Sequence, residues 1–207
     1  MQHKIKLIEC PRDAMQGWPH FISTQKKIEY INALLKVGFD TIDFGSFVSP
    51  KAIPQMADTA DVLRGLQIEN GKSKLLAIIA NQRGAEDAVV FDEITYLGFP
   101  FSVSETFQMR NTNSTIAQSL GRVEEIQNLC IKNKKELVVY MSMGFGNPNG
   151  DVYSEEIVFD WVNKLVDMDI SIISLADTVG LATKEQVYDI TKYLVDSLPD
   201  TEIGVHL

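Results

Sequence analysis

The stretch "LVVYMSM", residues 137–143, is apolar almost throughout, and only Ser142 and the tyrosine hydroxyl interrupt it. A run this short and this apolar reads as a strand covered on both faces, the environment of a parallel sheet. "LLAIIA" (75–80) and "IISLA" (172–176) repeat the pattern. Working outward from these runs, the strand candidates are Lys4–Glu9, Thr41–Phe47, Lys74–Ala80, Glu93–Phe99, Leu137–Met143, Ile172–Asp177 and Ile203–Leu207.

Helical patterns fill the intervals. In "STQKKIEYINALLKVGF", Ile28, Ile31 and Leu35 recur at helical spacing, with Ser23 or Thr24 as the N-cap and Gly38 as the stop. Ile116, Leu120, Val123 and Ile126 form one stripe in "NSTIAQSLGRVEEIQNLCIKNKK". In "SEEIVFDWVNKLVDMD", Ser154 caps and Ile157, Trp161 and Leu165 are expected to face inward. In "TKEQVYDITKYLVDSL", Thr183 and Gln186 have capping-box spacing, and Val187, Ile190 and Leu194 form the apolar face.

The order is therefore β(αβ) repeated, with right-handed crossovers expected. Two architectures fit: an open, doubly wound seven-stranded sheet, or a TIM (β/α)₈ barrel. A barrel needs an eighth strand and about 250 residues. The expectation is one α/β domain over 1–207, a TIM barrel truncated after about the seventh strand. The turn "CPRDAMQG" has none of the glycine spacing that cradles a nucleotide phosphate, which argues against a dinucleotide-binding sheet.

The 207 residues are 45% hydrophobic with a formal net charge of −9. That surface argues against nucleic acid or an anionic membrane as the main partner. Two cysteines, Cys10 and Cys130, stand far apart and fit a reducing, cytoplasmic setting. Cys10 is expected to be a small core residue. No run has the length of a transmembrane helix.

In either architecture chemistry belongs at the carboxyl ends of the strands. Arg12 and Asp13 follow strand 1, Asp43 and Ser46 lie on strand 2, and Asn81 follows strand 3. Ser102, Ser104 and Glu105 follow strand 4, Ser142 and "GFGNPNG" end strand 5, Asp177 and Thr178 end strand 6, and His206 ends strand 7. Each has a plainer reading: Arg12–Asp13 as a surface pair, Asp177 as a helix cap, His206 as a structural histidine, "GFGNPNG" as a turn. Together they suggest one site. Asp13 offers hard oxygen and His206 an imidazole nitrogen, a set suited to Mg²⁺, Mn²⁺ or a related divalent cation. Arg12 would be a fixed cation for developing negative charge, and Asp177 a base or an orienting group. The adjacent Arg12 and Asp13 are expected in a turn, where both side chains can reach one site.

"ECPRDAMQ", "SFVSPKAIPQMAD", "SLADTVGLAT" and the final "VHL" resemble the hydroxymethylglutaryl-CoA lyase family, divalent-metal TIM-barrel enzymes related to isopropylmalate and homocitrate synthases. The likeness runs along the whole chain. It implies metal-assisted cleavage of 3-hydroxy-3-methylglutaryl-CoA to acetyl-CoA and acetoacetate, a step of leucine degradation, by a homodimer or higher homo-oligomer. By motif, Asp13 and His206 look like metal ligands and Arg12 like the group that stabilises the thioester enolate. Asp177 looks like the acid of the proton transfers; Asp43, standing where the family usually has glutamate, and His206 are counted with Arg12 and Asp177 as catalytic candidates. The resemblance also implies a second histidine, an asparagine ligand and a mobile-loop cysteine, all beyond Leu207, and neither Cys10 nor Cys130 matches that cysteine. Lys51 and Arg83 are candidates for a basic rim that meets coenzyme A. A different acyl-CoA or 2-oxo acid lyase or condensing enzyme on the same scaffold, and a catalytically incomplete fragment, are the competing readings.

Overall fold

The computed structural model describes residues 5–68 and 72–207. All seven expected strands are present: β1 (Ile8–Glu9), β2 (Thr41–Ser46), β3 (Lys74–Ile78), β4 (Ile94–Ser102), β5 (Glu136–Ser142), β6 (Ile172–Ala176) and β7 (Glu202–His206). The first is shorter than its sequence candidate, of which Lys4 lies outside the described residues. The helices are α1 (Pro11–Gln16), α2 (Thr24–Leu35), α3 (Thr59–Arg64), α4 (Gln82–Val89), α5 (Glu105–Thr112), α6 (Ile116–Lys132), α7 (Glu155–Val166) and α8 (Lys184–Ser197). Among the described residues no helix is long and apolar enough to cross a membrane.

The chain forms two compact units, Met1–Leu97 and Gly98–Leu207. In the first, β1, β2 and β3 pair in parallel in chain order. The β2–β3 register slips between Asp43 and Gly45. This bulge occurs where Thr59 presses on the strand: a Cβ on Gly45 would meet the Thr59 methyl at 2.5 Å. The Thr59 hydroxyl bonds the Ser46 amide (3.1 Å) and carbonyl (2.9 Å). A bulge re-aims the neighbouring side chains, here beside Asp43.

In the second unit, β5, β6 and β7 pair in parallel, again in chain order. Val139, Met141, Ile173 and Leu175 are fully buried. The alternate residues Tyr140, Ser174, Gly204 and His206 share the opposite face by register and by period-two alternation. That face is the more polar one and carries the candidate histidine.

The helices follow their patterns with small rotations. Ser23 caps α2, whose buried face is Lys27, Ile31 and Leu35, so a lysine sits where Ile28 was expected. Lys27 is buried because its ammonium pairs with Asp58 and donates to the Gln55 carbonyl. Thr115 and Gln118 form a complete capping box on α6. On α7 the buried stripe is Val158, Val162 and Leu165, one residue on from Ile157 and Trp161. Trp161 instead lies against Phe101, with ring centroids 5.5 Å apart. Thr183 caps α8, but Gln186 turns its amide to the Tyr153 hydroxyl (3.1 Å) and does not complete a box.

Candidate active site

The first surprise is local. "PRDAMQ" is not a turn but the six-residue helix α1, with Pro11 in its first turn. Proline there loses no intrahelical bond and pre-sets φ, which explains a helix immediately after a two-residue strand. Cys10 sits at its N-cap and is only half-buried, so it is not a core residue.

Arg12 faces inward from α1 and is 8% exposed, which removes the surface-pair reading. Asp43, 1% exposed on β2, accepts from Arg12 Nε (3.1 Å) and Nη2 (2.6 Å). This side-on fork is the strong, orientation-fixing form of the pair. Arg12 Nη1 donates to Asp13 Oδ1 (2.8 Å) and to Gln16 Oε1 (3.0 Å). Gln16 Nε2 donates in turn to Asp13 Oδ1 (2.7 Å). Burial works against the Arg12 charge, but Asp43 and Asp13 outweigh it, and the guanidinium is held above its ordinary pKa. The Asp13 side chain remains 41% exposed. The cluster is a fixed, permanently charged cation beside an accessible carboxylate.

In the second unit Asp177 ends β6. Its Oδ1 accepts from the Leu181 amide (2.8 Å) and its Oδ2 from the Ala182 amide (3.1 Å), while its own amide donates to the His206 carbonyl (2.9 Å). The carboxylate therefore ties down "DTVGLA". His206 presents its ring against Tyr140, centroids 6.0 Å apart and nearly perpendicular. Met143, just past β5, is buried at φ 59. A left-handed conformation costs a non-glycine residue on the order of 1–2 kcal/mol. Its amide is held by Thr178 Oγ1 (2.8 Å).

The serines after β4 turn out to be braces. Ser104 Oγ accepts from the Phe107 amide and donates to Asp151, whose carboxylate also takes the Thr106 amide (2.9 Å) and hydroxyl (2.8 Å). These bonds hold the Asp151 carboxyl below its usual pKa. Ser102 Oγ accepts from the Ser104 amide (3.0 Å) and donates to the Ser142 carbonyl (3.3 Å). Glu105 accepts from the Ile116 amide (3.0 Å), and Asn81 caps α4 through the Gly84 amide (2.9 Å).

A cavity of about 250 Å³ in the first unit lies between the end of β2 and the start of α4, lined by Ser46, Phe47, Asn81, Arg83 and Asp87 among others. Of the two suggested rim cations, Arg83 lines it; Lys51 is exposed and follows the lining residue Pro50. Asp13 and His206 offer the donor types that suit a hard or borderline divalent cation. Among the described residues there is no cluster of three or more His, Cys, Asp or Glu side chains that could hold one. Gln16 and Tyr140 are the contacts the sequence reading left without a role. Gln16 becomes legible once 11–16 is read as a helix, because it then shares a face with Arg12 and Asp13.

Comparison with known proteins identifies the family and the fold. The HMGL-like family profile matches residues 4–207. A hydroxymethylglutaryl-CoA lyase of Bacillus subtilis is 33% identical over 199 residues, which cover 95% of this chain and 65% of that protein. The chain thus spans just under two thirds of this curated relative. A crystal structure of the B. subtilis HMG-CoA lyase superposes with TM-score 0.92 at 34% identity, covering 99% of this chain and 68% of the other. An HMG-CoA lyase from Acinetobacter baumannii, in complex with coenzyme A and 3-methylmalate, gives TM-score 0.90 at 33% identity, covering 98% and 66%. These superpositions decide between the two architectures, and the seven strands are those of a TIM barrel. With the motif at Arg12–Asp13 in place on α1 and the match running along 4–207, the chain belongs to the HMGL-like family.

Proposed function

We propose that this chain is the catalytic TIM-barrel domain of a carbon–carbon lyase that cleaves 3-hydroxy-3-methylglutaryl-CoA to acetyl-CoA and acetoacetate, a step of leucine degradation. The observation that carries the reading is the buried guanidinium of Arg12, locked by Asp43 and set beside the accessible carboxylate of Asp13. In the cleavage the C3 hydroxyl loses its proton and the C2–C3 bond breaks. Acetoacetate departs, and the electron pair remains on the thioester as an enolate that is reprotonated at C2. Arg12 neutralises the enolate oxygen, the pre-set positive charge that such a transition state requires. Asp43 acts on Arg12 and is a positioning residue. Asp177 is assigned to proton transfer, for which its place at the end of β6 and its fixed carboxylate are the support. Asp13 and His206 are assigned as ligands to Mg²⁺ or Mn²⁺. When bound, the cation supplies Lewis acidity, lowering the pKa of the tertiary alcohol and orienting the substrate oxygens.

The half-buried Cys10 and buried Cys130 are both unpaired thiols, in keeping with a cytoplasmic setting. The test is acetoacetate release from the CoA thioester by the purified chain with and without Mg²⁺ or Mn²⁺. Metal-dependent release, abolished in Asp13→Ala, is expected. Release that is indifferent to metal, or unchanged in that variant, would sink the assignment.

A further inference from the structure

Gln16 lies on α1 three residues after Asp13 and four after Arg12, so the three side chains share one helix face. Its amide touches both neighbours: Oε1 accepts from Arg12 Nη1 (3.0 Å) and Nε2 donates to Asp13 Oδ1 (2.7 Å). Chemistry dictates that orientation, because a guanidinium only donates and an ionised carboxylate only accepts. Arg12 Nη1 also donates to the same Asp13 Oδ1 (2.8 Å). Two donors therefore converge on one oxygen and fix the rotation of the carboxylate.

The alternative is clear from the charges. Left to themselves, an adjacent arginine and aspartate favour a two-bond fork that would turn both carboxylate oxygens onto the cation. Here Asp43 occupies Nε and Nη2, which leaves Nη1 for Asp13. Gln16 engages that same nitrogen and draws Oδ1 toward itself. We propose that Gln16 is a positioning residue: its amide bridge sets the plane of the Asp13 carboxylate and keeps it presented to a divalent cation rather than folded onto Arg12. The inference rests on the reading of Asp13 as a metal ligand. The amide's pairing of one acceptor with one donor is what the site uses. Glutamate would set a second acceptor against Asp13, methionine would keep the volume without either bond, and asparagine would be one methylene short.

The test compares Gln16→Met and Gln16→Glu with the unsubstituted 207-residue chain. The measurements are Mn²⁺ titration calorimetry, thermal unfolding and crystal structures. Removing a group that orients a metal ligand typically weakens binding 10–100-fold. Gln16→Met is therefore expected to raise the Mn²⁺ Kd by about tenfold or more, with its unfolding midpoint little changed. Its crystal structure should show the Asp13 carboxylate turned toward a fork with Arg12. An Mn²⁺ Kd unchanged in Gln16→Met, or an Asp13 carboxylate that keeps its place in that variant, overturns the proposal. Gln16→Glu should weaken Mn²⁺ binding as well, since it loses the donor to Asp13; full affinity in that variant also counts against the bridge. If the unsubstituted chain takes up no Mn²⁺, the metal reading of Asp13 fails, while the crystal structures still decide whether the amide sets the carboxylate.

Discussion

Two strand-end regions of this protein use aspartate in opposite ways. After β1 and on β2, Asp13 and Asp43 face a side-chain cation, Arg12. Beyond β5 and β6, Asp151 and Asp177 take backbone amides: Thr106 for the first, Leu181 and Ala182 for the second. The first arrangement holds a buried charge in a fixed direction. The second ties a loop to a neighbouring segment and would be useful in any β/α protein. A polar residue at a strand's carboxyl end is therefore a weak signal by itself. What it faces, a side-chain charge or a backbone amide, separates chemistry from construction.

The largest expected effect comes from breaking the first arrangement. Asp43→Ala leaves Arg12 charged, buried and stripped of its fork. Removing one partner of a buried pair costs about 3–5 kcal/mol, readable from urea unfolding. The double variant Arg12→Met/Asp43→Leu should regain most of that loss, since apolar replacements of buried pairs are often neutral, while lyase turnover stays absent. Stability that does not recover would mean the pair is held for the fold and not for its charge.

Asp177→Asn sharpens the comparison from the other side. The amide keeps one oxygen for Leu181 or Ala182, so the loop should hold and the unfolding midpoint should move little. If Asp177 also carries a proton, turnover should fall about 100-fold or more. Equal turnover in this variant would make Asp177 a brace only, like Asp151. Ser104→Ala should cost about 1 kcal/mol, the usual loss for an N-cap, because it also removes a bond to Asp151. Its effect on turnover should be no larger than its effect on stability.

Much of this was legible in the chain, and what was not has identifiable causes. Near-continuous runs such as "LVVYMSM" announce parallel strands because both faces are covered, and all seven strand candidates are strands. Periodicity missed the short α1, because six residues hold fewer than two turns and the decisive cue was Pro11 at its start. It also placed Ile28 rather than Lys27 in the core, since no local pattern foretells that Asp58, some thirty residues on, will neutralise a buried ammonium. For the same reason the roles of Asp43 and Asp177 could be listed from the strand order but not told apart. Each depends on a partner that only the fold supplies.

The smallest effect expected concerns acid. Hydrogen bonds from Ser104 and Thr106 hold the Asp151 carboxyl below its ordinary pKa in the folded chain. A depressed folded pKa means the unfolded chain binds the proton more readily, so stability falls as pH drops. The contribution is complete above the ordinary carboxylate range and is lost as the pH passes down through the folded pKa. Asp151→Asn should therefore unfold at a midpoint that varies less between pH 6 and pH 3 than the parent's. Arg12 predicts no such slope: its guanidinium is held above its ordinary pKa and keeps its charge throughout that window. A midpoint-versus-pH curve that is as steep in Asp151→Asn as in the parent would shift the acid sensitivity away from the β4 brace. It would then lie with other carboxylates, and the division between charge-facing and amide-facing aspartates would lose its acid signature.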